Sequence, residues 1–328
     1  MTNTQSQSAN SAPQAKKGIM DISIYMPGKS AAPAGIKLHK LSSNETPLGP
    51  SPKALKAIQE ASEHLELYPD GQSDALKKAI GEVYGLNTDN LICGNGSDEL
   101  LSMIGAAYLE TDDEVIFTEH GFLMYKIVAL TSGAVPVVVK ETNEHADVDA
   151  ILAAVTPRTR IIFLANPNNP TGTIISKDEL DEMLQLVSKD ILVIIDEAYF
   201  SYAQQLSNDY PDSFSLGHPN VIILRTFSKA YGLAGMRVGF ALGPKDLIEA
   251  MTKVKMTFAP SNIAQVAALA AFEDKEHMTR ALELNKKALT EFYLALHEAE
   301  LDYIPSYANF VMVDLKTEEK AKQFAYDM

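Results

Sequence analysis

The sequence is poor in three things, and each shortage excludes a class of protein. It has one cysteine, Cys93, so no internal disulfide can staple it; this usage suits a reducing cytoplasm, and Cys93 reads as a core residue. Its longest uninterrupted apolar run, Val266 to Phe272, falls far short of the roughly 18 residues that a membrane-spanning helix needs, so no membrane partner is expected. Positive charge is also short: 28 Lys and Arg face 43 Asp and Glu, and the net charge of −15 repels polyanions. No basic cluster interleaved with aromatics is present to track a phosphate backbone, which argues against nucleic acid. Small anions stay possible, because a local field need not follow the net charge. The seven histidines are scattered without ligand spacing, so no metal is expected.

What is there is ordinary globular material, 46% hydrophobic and 22% charged, in a chain of 328 residues, long enough for about two domains. Residues 1–18, rich in Ser, Gln, Asn and Ala, lack the apolar region of a secretory signal and read as a disordered tail. Short apolar runs then recur at Leu91 to Cys93, Glu114 to Phe117, Val135 to Val139, Ile161 to Leu164, Ile191 to Ile195, Val221 to Leu224 and Val238 to Leu242. Helical patterns such as Ser97 to Leu109 and Lys177 to Ser188 lie between them. Runs without polar alternation, separated by helices, predict an α/β domain with a mostly parallel sheet covered on both faces. After Pro260 the pattern turns helical: Ser261 is a candidate N-cap for a helix to Phe272, and a longer amphipathic stretch runs from Lys275 to Ala299. Tyr303 to Leu315 reads as the start of a smaller α/β unit.

Three polar loops follow three of the apolar runs: Asn166-Pro167-Asn168-Asn169-Pro170-Thr171-Gly172, Asp196-Glu197-Ala198-Tyr199, and Thr226-Phe227-Ser228-Lys229, which continues to Arg237. In an open α/β sheet such loops meet beyond the strand C-termini, where ligands bind. Lys229 alone is a solvated loop charge or an amine nucleophile. Asp196 is a helix cap or a buried carboxylate. Tyr199 and Asn169 suit a core tyrosine and a turn asparagine as well as hydrogen-bonding roles. Gly94-Asn95-Gly96-Ser97-Asp98-Glu99 joins the first strand to a helix, where either Ser97 or Asp98 could cap, or glycines and first-turn amides could cradle an anion. Phe122 suits the core or a ring-stacking face. Gly28-Lys29-Ser30 lacks the upstream glycine of a phosphate-binding P-loop, since Ser23 stands there.

Taken as an ordered set, these motifs resemble the fold-type I pyridoxal-phosphate-dependent aminotransferases, and within them the histidinol-phosphate aminotransferases, from about Tyr25 to the end of the chain. The resemblance implies a seven-stranded sheet and a division into a tail at 1–18, an N-terminal segment at 19–48 associated with the small domain, a large cofactor-binding domain at 49–272, and an interdomain helix with a partial small domain at 273–328. It implies that Lys229 binds pyridoxal 5'-phosphate covalently and that Asp196 pairs with the cofactor's ring nitrogen. Tyr199 and Asn169 would face its phenolic oxygen, and Phe122 would stack on its ring. Gly96, Ser97, Asp98, Ser228 and Arg237 would hold its phosphate, with Tyr68 reaching the phosphate of a neighbouring subunit, so that the active unit is a homodimer. Tyr25 and Asn44 fall in segments similar to the family's substrate side. The implied reaction is transamination between a small-molecule amino donor, L-histidinol phosphate, and a 2-oxo acid, 2-oxoglutarate. Aromatic or broad-specificity aminotransferases and phosphothreonine decarboxylases carry nearly the same motifs. A cofactor-fold regulator would need an N-terminal DNA-binding module, which eighteen polar residues cannot form. The family's last small-domain strand and the arginines for the substrate's anionic group would fall beyond Met328.

Overall fold

The computed structural model describes residues 13–24 and 40–327. Its centre is a seven-stranded sheet in the order β1-β7-β6-β5-β4-β2-β3, built from β1 (Leu91–Gly94), β2 (Glu114–Thr118), β3 (Val135–Val139), β4 (Thr159–Ala165), β5 (Leu192–Asp196), β6 (Val221–Thr226) and β7 (Gly239–Leu242). All neighbours are parallel except β7, which runs antiparallel to both β1 and β6. Each apolar run of the sequence is therefore a strand.

The absence of polar alternation has its cause in the two faces of this sheet. Ile162 and Leu164, Val193 and Ile195, and Val221 and Ile223 enter one core, while Ile161 and Phe163, Leu192 and Ile194, and Ile222 and Leu224 enter the other. Successive side chains point to opposite faces, and here both faces are covered, so both must be apolar. Burying each such side chain fully is worth roughly 1.5–3 kcal/mol. The edge strand β3 departs from this, with Val135 and Val138 exposed, because it has a neighbour on one side only.

Helix boundaries follow local chemistry. Ser176 and Glu179 form a reciprocal capping box that opens the helix Lys177–Leu186. Ser261 caps the helix Asn262–Glu273 through Ala264 N, as its position predicts. The long helix Lys275–Glu298 leads to an antiparallel pair, β8 (Asp302–Ile304) and β9 (Met312–Asp314), and to the helix Glu318–Asp327. Among the described residues no helix is long and apolar enough to cross a membrane. Most of the tail expected at residues 1–18 lies outside the described residues.

Candidate active site

Strand register brings the three polar loops together. Ala165 of β4 pairs with Asp196 of β5, and Asp196 pairs with Leu224 of β6. The backbone stitching continues one step further, with Asn166 N donating to Asp196 O and Glu197 N to Leu224 O. The loops after β4, β5 and β6 therefore leave the sheet side by side. They open into a cavity of about 660 Å³ lined by, among others, Ser97, Asp98, Phe122, Asn169, Asp196, Tyr199, Ser228, Lys229 and Arg237.

One end of the cavity is built for an anion. Gly239 of β7 pairs with Gly94 of β1 and with Thr226 of β6, and a Cβ on it would come within 3.1 Å of the Gly96 carbonyl carbon and of Ser97 N. A glycine here lets the start of the helix Gly96–Tyr108 approach the Ser228 loop. Neither Ser97 nor Asp98 caps that helix; the N-cap is Asn95, whose side chain makes no capping bond, and the Glu99 carboxylate instead accepts from Asn95 N. Uncapped first-turn amides with a positive dipole suit a phosphate. Arg237 adds a guanidinium that donates to Ser228 Oγ (3.3 Å) and Asp98 Oδ2 (3.1 Å). The Asp98 pair is half exposed and holds the guanidinium at this end of the cavity.

The middle of the cavity holds the titratable groups. Asp196 is buried, and desolvation pushes its carboxyl up to about 6, against hydrogen bonds that favour the anion. Those bonds come from Tyr125 Oη (3.0 Å) and Ala198 N (3.2 Å). Lys229 is lowered from the usual lysine range, chiefly by burial, so its neutral amine is more available than that of a surface lysine. Its Nζ donates to Ser43 O at 2.9 Å. Tyr199 is pushed up to about 12 by burial and stays protonated; its hydroxyl accepts from Asn44 Nδ2 (3.0 Å) and Asn169 Nδ2 (3.2 Å). Phe122 is half-buried at the cavity wall and meets Tyr125 edge-on, 5.9 Å between ring centres.

The donor set fits pyridoxal phosphate. A guanidinium, hydroxyls and helix amides stand at one end, a buried carboxylate and an aromatic wall in the middle, and a desolvated amine beside a phenol. Of the expected residues within the described part of the chain, Gly96 and Tyr68 do not line the cavity, Gly96 being buried beside Arg237. Tyr68 is 81% exposed and stacks on Phe258 at 4.5 Å, outside this chain's own cavity wall. Tyr25 lies outside the described residues. Sequence reading missed Tyr125, although its place three residues after Phe122, one turn into the helix Leu123–Ser132, puts it beside that ring. Ser43 was also missed, because it acts through its carbonyl, which carries no side-chain signature.

The aminotransferase class I and II family model matches residues 36–328. A curated histidinol-phosphate aminotransferase of Rhodopseudomonas palustris (strain HaA2) is 44% identical over 313 residues, 94% of this chain and 84% of that protein. Among solved structures, the histidinol-phosphate aminotransferase of Sinorhizobium meliloti in complex with pyridoxal-5'-phosphate is 30% identical, with a TM-score of 0.82, covering 86% of this chain and 77% of that one. The aspartate aminotransferase of Thermus thermophilus with maleate, at 24% identity and TM-score 0.77, covers 84% of this chain and 76% of that one, and shares the fold.

Proposed function

The chain belongs to the class I and II aminotransferase family, and on that premise we propose that it transfers the amino group of L-histidinol phosphate to 2-oxoglutarate, using pyridoxal phosphate, as a step of histidine biosynthesis. The observation that carries the reading is the convergence, in one cavity, of the Lys229 amine, the buried Asp196 carboxylate and the Arg237 and Ser228 anion end. The identity to the Rhodopseudomonas palustris enzyme supports the choice of substrate.

When bound, pyridoxal phosphate supplies an electron sink for the electron pair left at the substrate Cα after its proton is removed. The protein's part is to bind, orient and move protons. Arg237, Ser228, Ser97 and the amides of Gly96 and Asp98 would hold the phosphate. Asp196 would pair with the ring nitrogen and favour its protonated form, and burial would make that charge pairing count for more than it does in water. Lys229 Nζ would hold the cofactor covalently, and its amine, desolvated by burial, would serve as the base that takes the substrate Cα proton and the acid that returns it. Tyr199 and Asn169 would donate toward the phenolic oxygen, and Phe122 would cover the ring. Tyr68, exposed on its own chain, would reach the phosphate of a second copy in a homodimer.

The test compares kcat/KM across amino donors with 2-oxoglutarate as acceptor. L-Histidinol phosphate should lead. A preference for phenylalanine or tyrosine would overturn the substrate, and carbon dioxide release from phosphothreonine without amino transfer would overturn the reaction. Borohydride reduction followed by peptide mapping should label Lys229, and a different labelled lysine would overturn its role.

A further inference from the structure

Beyond the cavity wall, a loop from the C-terminal part of the chain is fastened onto the amine and phenol of the site. Tyr307 N donates to Gly172 O at 2.8 Å, at the end of the Asn169 loop. The Phe310 ring meets Tyr199 edge-on, 5.1 Å between centres. Asn309 Nδ2 donates to Asn44 O at 2.9 Å, across 265 residues of sequence. The other side of the loop is pinned to the long helix, where Asn285 Nδ2 donates to Ala308 O (3.1 Å) and Ser306 N donates to Tyr293 Oη (2.8 Å).

Asn44 needs such a restraint. Its backbone sits at φ 55°, in the left-handed region that non-glycine residues adopt at a cost. The two residues at this bend serve two different groups: the Ser43 carbonyl accepts from Lys229 Nζ, and the Asn44 amide donates to the Tyr199 hydroxyl. Asn309 does not line the cavity, and its Oδ1 is buried without a partner. Its side chain thus forgoes one hydrogen bond while it donates the other to Asn44. Tyr199 oxygen accepts from Asn44 and from Asn169, which uses both lone pairs and leaves its O–H hydrogen to point at whatever lies in the cavity.

We propose that Asn309 is a positioning residue for this phenol: by holding the Asn44 carbonyl it keeps the Asn44 amide on the tyrosine hydroxyl. The role rests on the cofactor reading given above and deepens it. A phenol whose oxygen accepts two amide bonds is a stronger donor, so Tyr199 stabilises negative charge on the cofactor's phenolic oxygen and favours loss of the proton from the lysine-bound chromophore. Without Asn309 that proton should be held to higher pH.

The experiment is a spectroscopic pH titration of the protein loaded with pyridoxal phosphate, with Asn309→Ala compared with wild type. The expected result is a midpoint raised by about half a pH unit, roughly a threefold change in the proton equilibrium, with thermal unfolding of the loaded protein little changed. In a Tyr199→Phe background the same substitution should produce no further shift, because the effect passes through that hydroxyl. If Asn309→Ala does not fold, Asn309→Ser, whose shorter side chain falls short of the Asn44 carbonyl, takes its place with the same expectation. An unchanged midpoint, or an equal shift with and without the Tyr199 hydroxyl, overturns the proposal. Absence of any lysine-bound absorbance in wild type would instead overturn the cofactor reading.

Discussion

Asp196→Asn should stabilise the protein free of cofactor while disabling it. The carboxyl of Asp196 titrates near 6 in the folded chain against an ordinary value of 3.8, because burial disfavours its charge. An acid whose folded value is raised contributes stability that is fully present below the unfolded value and is lost as pH rises through the folded one. The difference is about two units, so at pH 7.5 keeping the carboxylate charged in the fold costs ~3 kcal/mol, an order-of-magnitude figure. Asparagine removes that cost. It also weakens one of the two bonds from Tyr125 Oη and Ala198 N, since an amide can turn its oxygen to only one of them, a loss of about 1 kcal/mol. The net gain of about 2 kcal/mol should appear as a midpoint of thermal unfolding raised by a few degrees at pH 7.5. The gap should narrow toward pH 5, where wild type recovers part of the contribution. Adding pyridoxal phosphate should reverse the order, because binding stabilises wild type by mass action and the variant would lack the carboxylate proposed to pair with the ring nitrogen. A cofactor-free variant no more stable than wild type at pH 7.5, with the same slope down to pH 5, would refute the reasoning.

Other expectations concern the assembly and the loops. Hybrids formed by mixing inactive Lys229→Ala subunits with inactive Tyr68→Phe subunits should recover part of the activity, since one of the two sites would combine an intact lysine with an intact tyrosine from the other chain; no recovery would place Tyr68 in its own subunit's site. Gly172→Ala should weaken cofactor retention and destabilise the fold by about 1–3 kcal/mol, because Gly172 stands at φ 77° and an added Cβ would lie 2.3 Å from Ser306 Oγ and 3.1 Å from Ser306 Cα; equilibrium unfolding and cofactor dialysis would measure both. Asn169→Ala should slow transamination less than the loss of Asp196 does, because the Tyr199 hydroxyl keeps its bond from Asn44, and single-turnover rates of the two variants would decide.

The seven strands were legible because an apolar run needs no partner to be recognised once both sheet faces are covered, and the loops holding Asn169, Asp196 and Lys229 were legible as polar segments that the fold brings to one cavity. Local capping chemistry likewise placed Ser261 at its helix start. What the linear order could not supply was anything set by register or by distant backbone. That Ala165, Asp196 and Leu224 stand level is a property of strand pairing. That β7 runs against its neighbours follows from the path of the chain, since an apolar run reads the same in either direction. Tyr125 belongs to no motif in the linear sequence, and only the packed helix carries its hydroxyl to Asp196. Ser43 and Asn309 work through carbonyls far away in sequence, and a carbonyl is common to every residue. The chemistry of the site was therefore written in side-chain types at short spacing, whereas its electrostatics, the raised Asp196 and the lowered Lys229, came into being only with burial, which tertiary packing alone creates.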